Sequence, residues 1–394
     1  MWSVYVVVRM RHIITNGKVL QGDDIKPGLN VVVESGTITA ISSQVRPGPA
    51  DRVTDASGCF VLPGLVDLHS HGIRDVMVDK DDVFRYADHH LSCGVTSCVA
   101  TLAGSPPANM RRMKEILAQT DDFSLTPNLV GFRPEIMYLA DASGGPSASL
   151  ARPEPSLTRR VWDASGGRIP IWDVSPELDG ALELISWCAA NGITASMAHS
   201  SAGIERVREA VSAGLRLVTH LYDLFPMPAE SEPGVYAAGV TDYINVEDRL
   251  SAEVIPDGVH AHPLLVEITL RCKGLDRVAF ITDSLKGSGN PPGRYEGLIP
   301  GEPVEVTADR GIRRVSDDLL SGSALTHLQS FRNAVRLFGK SIPEASRLCS
   351  RTPARILGLS RKGTLAPGMD ADVIIMDSEL ELRAVILAGR KVKG

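Results

Sequence analysis

No run of apolar residues in this chain approaches the ~20 that a membrane-spanning helix needs, so no such helix is expected. Cysteine is sparse and unpaired in pattern. Cys59, Cys93, Cys98, Cys188, Cys272 and Cys349 form no Cys-x-x-Cys motif and lie scattered along apolar stretches. That spacing excludes a disulfide framework and describes reduced core residues of a cytoplasmic protein. There is no excess of positive charge either. Lys and Arg number 41 against 47 Asp and Glu, a net charge of −6, and nothing favours a nucleic-acid partner. The opening MWSVYVVVRMRH has a short apolar run without a preceding positive region or a small-residue cleavage site, so it does not read as a signal peptide. Residues 4–8 read as a β-strand instead.

What is present is a 394-residue chain with 43% hydrophobic residues, enough for one large domain with an attachment. Residues 1–58 read as short strands and turns, with a hairpin signal at Glu34-Ser35-Gly36. The tail from GTLAPGMDADVIIMD to LRAVILAGRKV has the same character. The middle alternates β-like apolar runs with helix-like segments. The strands expected are 59–69, 94–102, 128–135, 168–174, 193–199, 215–221, 251–258 and 277–283. Helices are expected between them, for instance over 176–192 and 201–214, each stopped by a glycine. Eight βα units predict an α/β fold, a TIM-like (β/α)8 barrel over 59–361. The chain ends, 1–58 and 362–394, then form a small β-sandwich domain.

Barrel chemistry sits where strands end. Strand one ends in His69 and His71, strand three in Glu135, strand five in His199, strand six in His220 and strand eight in Asp283, with His260 just past strand seven. Any one of these could be a structural histidine or a loop charge. Structural histidines have no reason to gather at one end of several strands. Period-two geometry also puts His69 and His71 on one face, where two imidazoles can grip one metal ion. The other histidines read differently. His89 and His90 fall on a helix, His327 starts one, His12 lies in the strand domain, and His262 follows His260 by two. Asp257 in PDGV reads as a turn residue.

PGLVDLHSHG, GFRPEIMY, the stretch SPELDGALELISWCAANGITASMAHSSAG, VTHLYDLFPMP, IPDGVHAHP, AFITDS and SGSALT together resemble the N-acetylglucosamine-6-phosphate deacetylases of the amidohydrolase superfamily. The resemblance implies a metal-dependent amide hydrolase that removes the acyl group of an N-acyl amine such as an amino sugar. It implies one or two divalent ions, zinc or iron, held by Glu135, His199 and His220, with His69 and His71 as further ligands. Asp283 becomes the catalytic acid and base. Asp223, Leu224, His260 and Leu320 become substrate contacts, and the protein a cytoplasmic homodimer with a small-molecule substrate and no nucleic-acid or membrane partner. Departures cluster at the substrate. The family's His-Leu-Glu-Gly-Pro run is Arg133-Pro134-Glu135-Ile136-Met137 here, its Asn-Ala pair is Asp223-Leu224, and its phosphate-gripping arginine is Ser231. An added carboxylate and a lost guanidinium both oppose a phosphate dianion. Arg133 and Arg294 are the candidate replacements. The alternatives are a superfamily enzyme acting on a different cyclic amide or amine, and a non-catalytic scaffold.

Overall fold

The computed structural model describes residues 11–142, 145–228, 232–235, 237–307 and 309–394. The strand expected over 4–8 and the position Ser231 lie outside the described residues. The chain begins with β1 (His12–Gln21), β2 (Asp24–Glu34), β3 (Thr37–Ser42), β4 (Arg52–Asp55) and β5 (Phe60–Pro63). The predicted hairpin is present. Strands β2 and β3 pair antiparallel around Ser35 and Gly36, whose φ values of 50° and 79° fit a tight primed turn.

The first expected barrel strand is broken in two. Its front half, β5, pairs with β1 in the chain-end sheet, and only β6 (Leu65–Ser70) enters the barrel. Gly64 makes the break. A Cβ there would meet Thr96 Oγ1 at 2.1 Å, so only glycine lets the chain pass this close to the neighbouring strand. After the two-residue strands β7 (Gly72–Ile73) and β8 (Val76–Met77) comes α1 (Val83–Ser92), capped by the Asp82 carboxylate accepting from the Phe84 and Arg85 amides.

The remaining barrel strands are β9 (Val95–Leu102), β10 (Leu129–Pro134), β11 (Ile171–Val174), β12 (Thr194–Met197), β13 (Leu217–Val218), β14 (Ser251–Val254) and β15 (Val278–Phe280). Strands β6, β9 and β10 form one parallel sheet and β11 to β15 another. The sheets join at both edges. Phe132 N donates to Arg168 O at 2.7 Å on one side, and Asp283 N to His69 O at 2.9 Å on the other. The ring is thus a closed barrel. Every residue of β6 and β9 is buried, as parallel strands covered on both faces require. Helices α2 (Pro106–Gln119), α3 (Pro155–Ala164), α4 (Ala181–Ala190), α5 (Ile204–Ala213), α6 (Val240–Val246), α7 (Pro263–Lys273) and α8 (His327–Arg336) follow the strands. Helix α4 starts five residues later than expected, because Gly180 turns left-handed at φ 83° and begins the helix there.

Beyond β15 a three-stranded antiparallel flap, β16 (Gly293–Glu296), β17 (Pro303–Thr307) and β18 (Gly311–Arg314), packs Val304, Val306 and Ile312 on Met77 and Leu285. No strand was expected there. The chain closes with β19 (Val373–Met376), β20 (Leu382–Leu387) and β21 (Arg390–Lys393). Both chain ends share one eight-stranded sheet. It curls so far that Ile38 N reaches Met369 O at 2.9 Å, enclosing a core of Ile14, Val31, Val61, Val373 and Ile386.

Candidate metal centre

Six strand-end side chains converge at one mouth of the barrel. His69 is the last residue but one of β6 and His71 follows the strand. Their Nε2 atoms lie 3.3 Å apart. Glu135, just past β10, stands between two histidine pairs. Its Oε1 is 3.3 Å from His69 Nε2, 3.4 Å from His220 Nε2 and 3.7 Å from His199 Nε2, and its Oε2 is 2.9 Å from His71 Nε2. Asp283 Oδ1 lies 3.3 Å from His69 Nε2 and 3.5 Å from His71 Nε2. Two donor triads result, His69–His71–Glu135 and Glu135–His199–His220, the donor atoms of each within 4.8 Å of one another. All of these side chains are buried. Imidazole nitrogens crowded around one carboxylate suit a divalent cation. The opposite ring nitrogens of His69, His71 and His220 have no hydrogen-bond partner among the described residues, so Nε2 is the functional edge of each ring.

The electrostatics agree. Burial and Arg133 push the His69 imidazolium toward deprotonation, but the Glu135 and Asp283 carboxylates prevail and raise its pKa well above the usual value. Burial works the same way on His220, and Glu135, Asp223 and Asp283 lift it to about 9. Burial raises Glu135, and His69 with the surrounding imidazoles more than reverses that, holding it well below its ordinary value. The carboxylates thus favour positive charge beside them, as a bound cation would supply.

The backbone is strained at these positions. His199, His220 and Asp283 have φ of 42°, 28° and 47°, and Tyr222 and Leu224 follow at 80° and 59°. Left-handed backbone is rare outside glycine and gathers at functional sites. It also explains why β12, β13 and β15 stop short of the expected ends: each site residue twists out of the sheet.

His260 sits in a turn built by Asp257. The Asp257 carboxylate accepts from the Val259 and His260 amides and holds His260 Nδ1 at 2.7 Å. Asp257 is therefore a turn residue and also the orienter of an imidazole. Burial lowers the pKa of His260 and Asp257 reverses this, raising it overall. Its Nε2 is buried without a hydrogen-bond partner among the described residues.

A cavity of about 310 Å³ opens over the centre. His71, Glu135, His199, His220 and Asp283 form its floor, and Asp223, Leu224 and Leu320 stand on its wall. His69 lies beneath, and His260 is outside the lining. Neither proposed replacement arginine reaches the cavity. Arg133 is fully buried under the centre and contacts residues of β11 and β14 across the barrel lumen. It donates to Asp173 Oδ2 at 2.6 Å and Oδ1 at 2.8 Å, to Glu253 Oε1 at 2.7 Å and Oε2 at 3.0 Å, and to Thr219 Oγ1 at 2.8 Å. Glu253 in turn lies 3.7 Å from His69 Nδ1. Arg294 is exposed on the flap, 3.9 Å from Glu305. The remaining histidines have local duties. His89 pairs with Asp75, His90 contacts Ser70 Oγ, His262 caps α7, and His327 contacts Cys349 O.

Sequence reading missed Asp173, Glu253 and Arg313. The first two left a trace, as carboxylates inside the apolar runs RIPIWDV and SAEVIPDG. Arg313 left none, because its flap carries no motif.

The amidohydrolase family model matches residues 60–392. The chain belongs to the amidohydrolase family. It is 29% identical to an N-acetylglucosamine-6-phosphate deacetylase of Lysinibacillus sphaericus, over 96% of this chain and 97% of that protein. It is 30% identical to a Bos taurus protein of the same name, over 87% and 86%. An N-acetylgalactosamine-6-phosphate deacetylase of Escherichia coli O157:H7 is 29% identical over 98% of each. Among solved structures, the Mycobacterium smegmatis deacetylase in complex with N-acetyl-D-glucosamine-6-phosphate superposes with a TM-score of 0.87 at 28% identity, covering 98% of this chain and all of that one.

Proposed function

We propose that this chain is a metal-dependent amide hydrolase of the deacetylase type whose substrate is an N-acyl amine without a phosphate. The observation that carries the reading is the convergence of four histidine Nε2 atoms on Glu135 with Asp283 beside two of them. A divalent ion, zinc or iron, bound by these groups would supply Lewis acidity, acidifying a water and polarising the acyl carbonyl. Asp283 takes the water proton and returns it to the departing nitrogen. Water adds across the amide: the acyl carbon gains oxygen, the C–N bond breaks, and the nitrogen leaves protonated. His260, held through Nδ1 by Asp257 with Nε2 unpaired among the described residues, stands outside the cavity lining, and its contact with substrate is carried by the family resemblance. The same reading places the enzyme in the cytoplasm as a homodimer. No described helix is long and apolar enough to cross a membrane.

The phosphate is left out for local reasons. Asp223 adds a carboxylate to the cavity wall, while Arg133 and Arg294 are engaged elsewhere. The test compares kcat/KM for N-acetylglucosamine 6-phosphate with values for unphosphorylated N-acyl amines, using protein of measured metal content. A strong preference for the phosphorylated sugar would overturn the phosphate part. In Asp283→Asn, kcat should drop by at least ~10² with metal retained, the scale of general acid–base catalysis.

A further inference from the structure

We infer that the cavity selects N-acyl amines bearing one carboxylate, which Arg313 grips: an N-acylated amino acid. The inference rests on the amide-hydrolase reading above and names its substrate class. Arg313 is the only Lys or Arg among the described residues that line the cavity. Neutral acceptors anchor it. Nε donates to Arg310 O at 3.2 Å and Nη1 to Asp318 O at 2.6 Å, and Nη2 has no hydrogen-bond partner among the described residues. Backbone carbonyls fix a guanidinium without cancelling its charge. The nearest carboxylate, Asp318, is 3.9 Å away and is engaged more closely by Arg310. A half-exposed surface arginine would be unremarkable, but this one is three-quarters buried, with a side-chain exposure of 24%, and forms part of the cavity wall.

One anchored guanidinium matches one carboxylate, in the two-pronged geometry arginine favours. It matches a phosphate dianion poorly, because Asp223, which also lines the cavity, opposes the second charge. Besides Arg313, Asp223 and Ser321, the wall is apolar. Ile136, Leu224, Leu298, Leu319 and Leu320 surround the opening, offering little to the hydroxyls of a sugar and a good surface to an aliphatic side chain. Hydrolysis of such a substrate yields a carboxylic acid and a free amino acid, with water the only co-reactant.

The experiment uses the metal-loaded enzyme with N-acetyl-leucine, its neutral carboxamide N-acetyl-leucinamide, N-acetylglucosamine and N-acetylglucosamine 6-phosphate. Both leucine enantiomers are supplied. The carboxylate should exceed the carboxamide in kcat/KM by at least ~10², the scale of a lost charge-assisted hydrogen bond. In Arg313→Met that ratio should collapse to within a few-fold of one, and Arg313→Lys should keep part of it. Equal use of carboxylate and carboxamide, an unchanged ratio in Arg313→Met, or faster turnover of the phosphorylated sugar each overturns the inference while leaving amide hydrolysis standing. If no amide is hydrolysed, the functional reading falls, and calorimetry decides the cavity by itself. N-acetyl-leucine should bind metal-loaded Asp283→Asn at least ~10-fold tighter than the same protein carrying Arg313→Met. Equal binding removes Arg313 from the assignment.

Discussion

Each candidate ligand imidazole was legible from its place at a strand end taken together with the others. His69 and His71 are separated by two, and a strand repeats its facing every two residues. His199 and His220 were marked by ending apolar runs. Arg313 was not legible, because Gly311-Ile312-Arg313-Arg314 offers two adjacent arginines, and only the fold shows which one enters the cavity. Its neighbour Arg314 is held by Asp317. At this scale the metal is the thing to test. His199→Ala and His220→Ala each remove one of three donors from one triad, while His69 and His71 remain with Glu135. Elemental analysis of purified, folded protein should show a sharp fall in metal content in both variants. Full retention in both would dismiss the centre as drawn.

The elements were legible in kind and less so in extent. Strand runs such as VTSCVATL fall where expected, since full burial makes them apolar without interruption. The break at Gly64 was hidden, because it arises from the closeness of Thr96, a neighbour in space alone. Helix α1 carries a consequence of its own. His90 is buried on it, with Nε2 3.0 Å from Ser70 Oγ at the end of β6. Burial, then His327 and His89, lower its pKa to about 3. The unfolded chain takes up this proton near its ordinary value of 6.5 and the folded chain does not. Stability from His90 is therefore complete above about pH 6.5 and declines as the pH falls toward 3, by up to ~1.4 kcal/mol per pH unit. Urea unfolding of wild type and His90→Gln across that window should show a shallower decline in the variant. Parallel curves would mean that other groups govern acid lability.

At the scale of the molecule, the barrel is organised around a charge in its lumen. Arg133 donates to Asp173 on β11, Glu253 on β14, Thr219 beyond β13, and the Leu68 carbonyl of β6 at 3.1 Å. One guanidinium thereby ties strands from around the ring, directly beneath the histidines. Removing it strands two buried carboxylates. Arg133→Met should destabilise by about 3–5 kcal/mol in denaturant unfolding, and adding Asp173→Asn and Glu253→Gln should recover part of the loss. A single variant as stable as wild type would show that the lumen tolerates the bare carboxylates. The barrel as a whole was legible from eight alternating units. This network was not, because it joins residues up to 120 positions apart that become neighbours only when the ring closes.

The left-handed backbone at His199, His220 and Asp283 makes the working residues a burden on the fold. Each such conformation costs an ordinary side chain roughly 1–2 kcal/mol, and glycine escapes it for an entropic loss of about 0.5–1 kcal/mol. Asp283→Gly should therefore abolish turnover while the melting temperature of the metal-free protein holds or rises. A clear fall in melting temperature would mean the carboxylate's attraction for the neighbouring imidazoles outweighs the strain. If it does not, a lineage of this protein freed from its chemistry would drift toward glycine at the strand ends, and three glycines there would mark a descendant that had stopped being an enzyme.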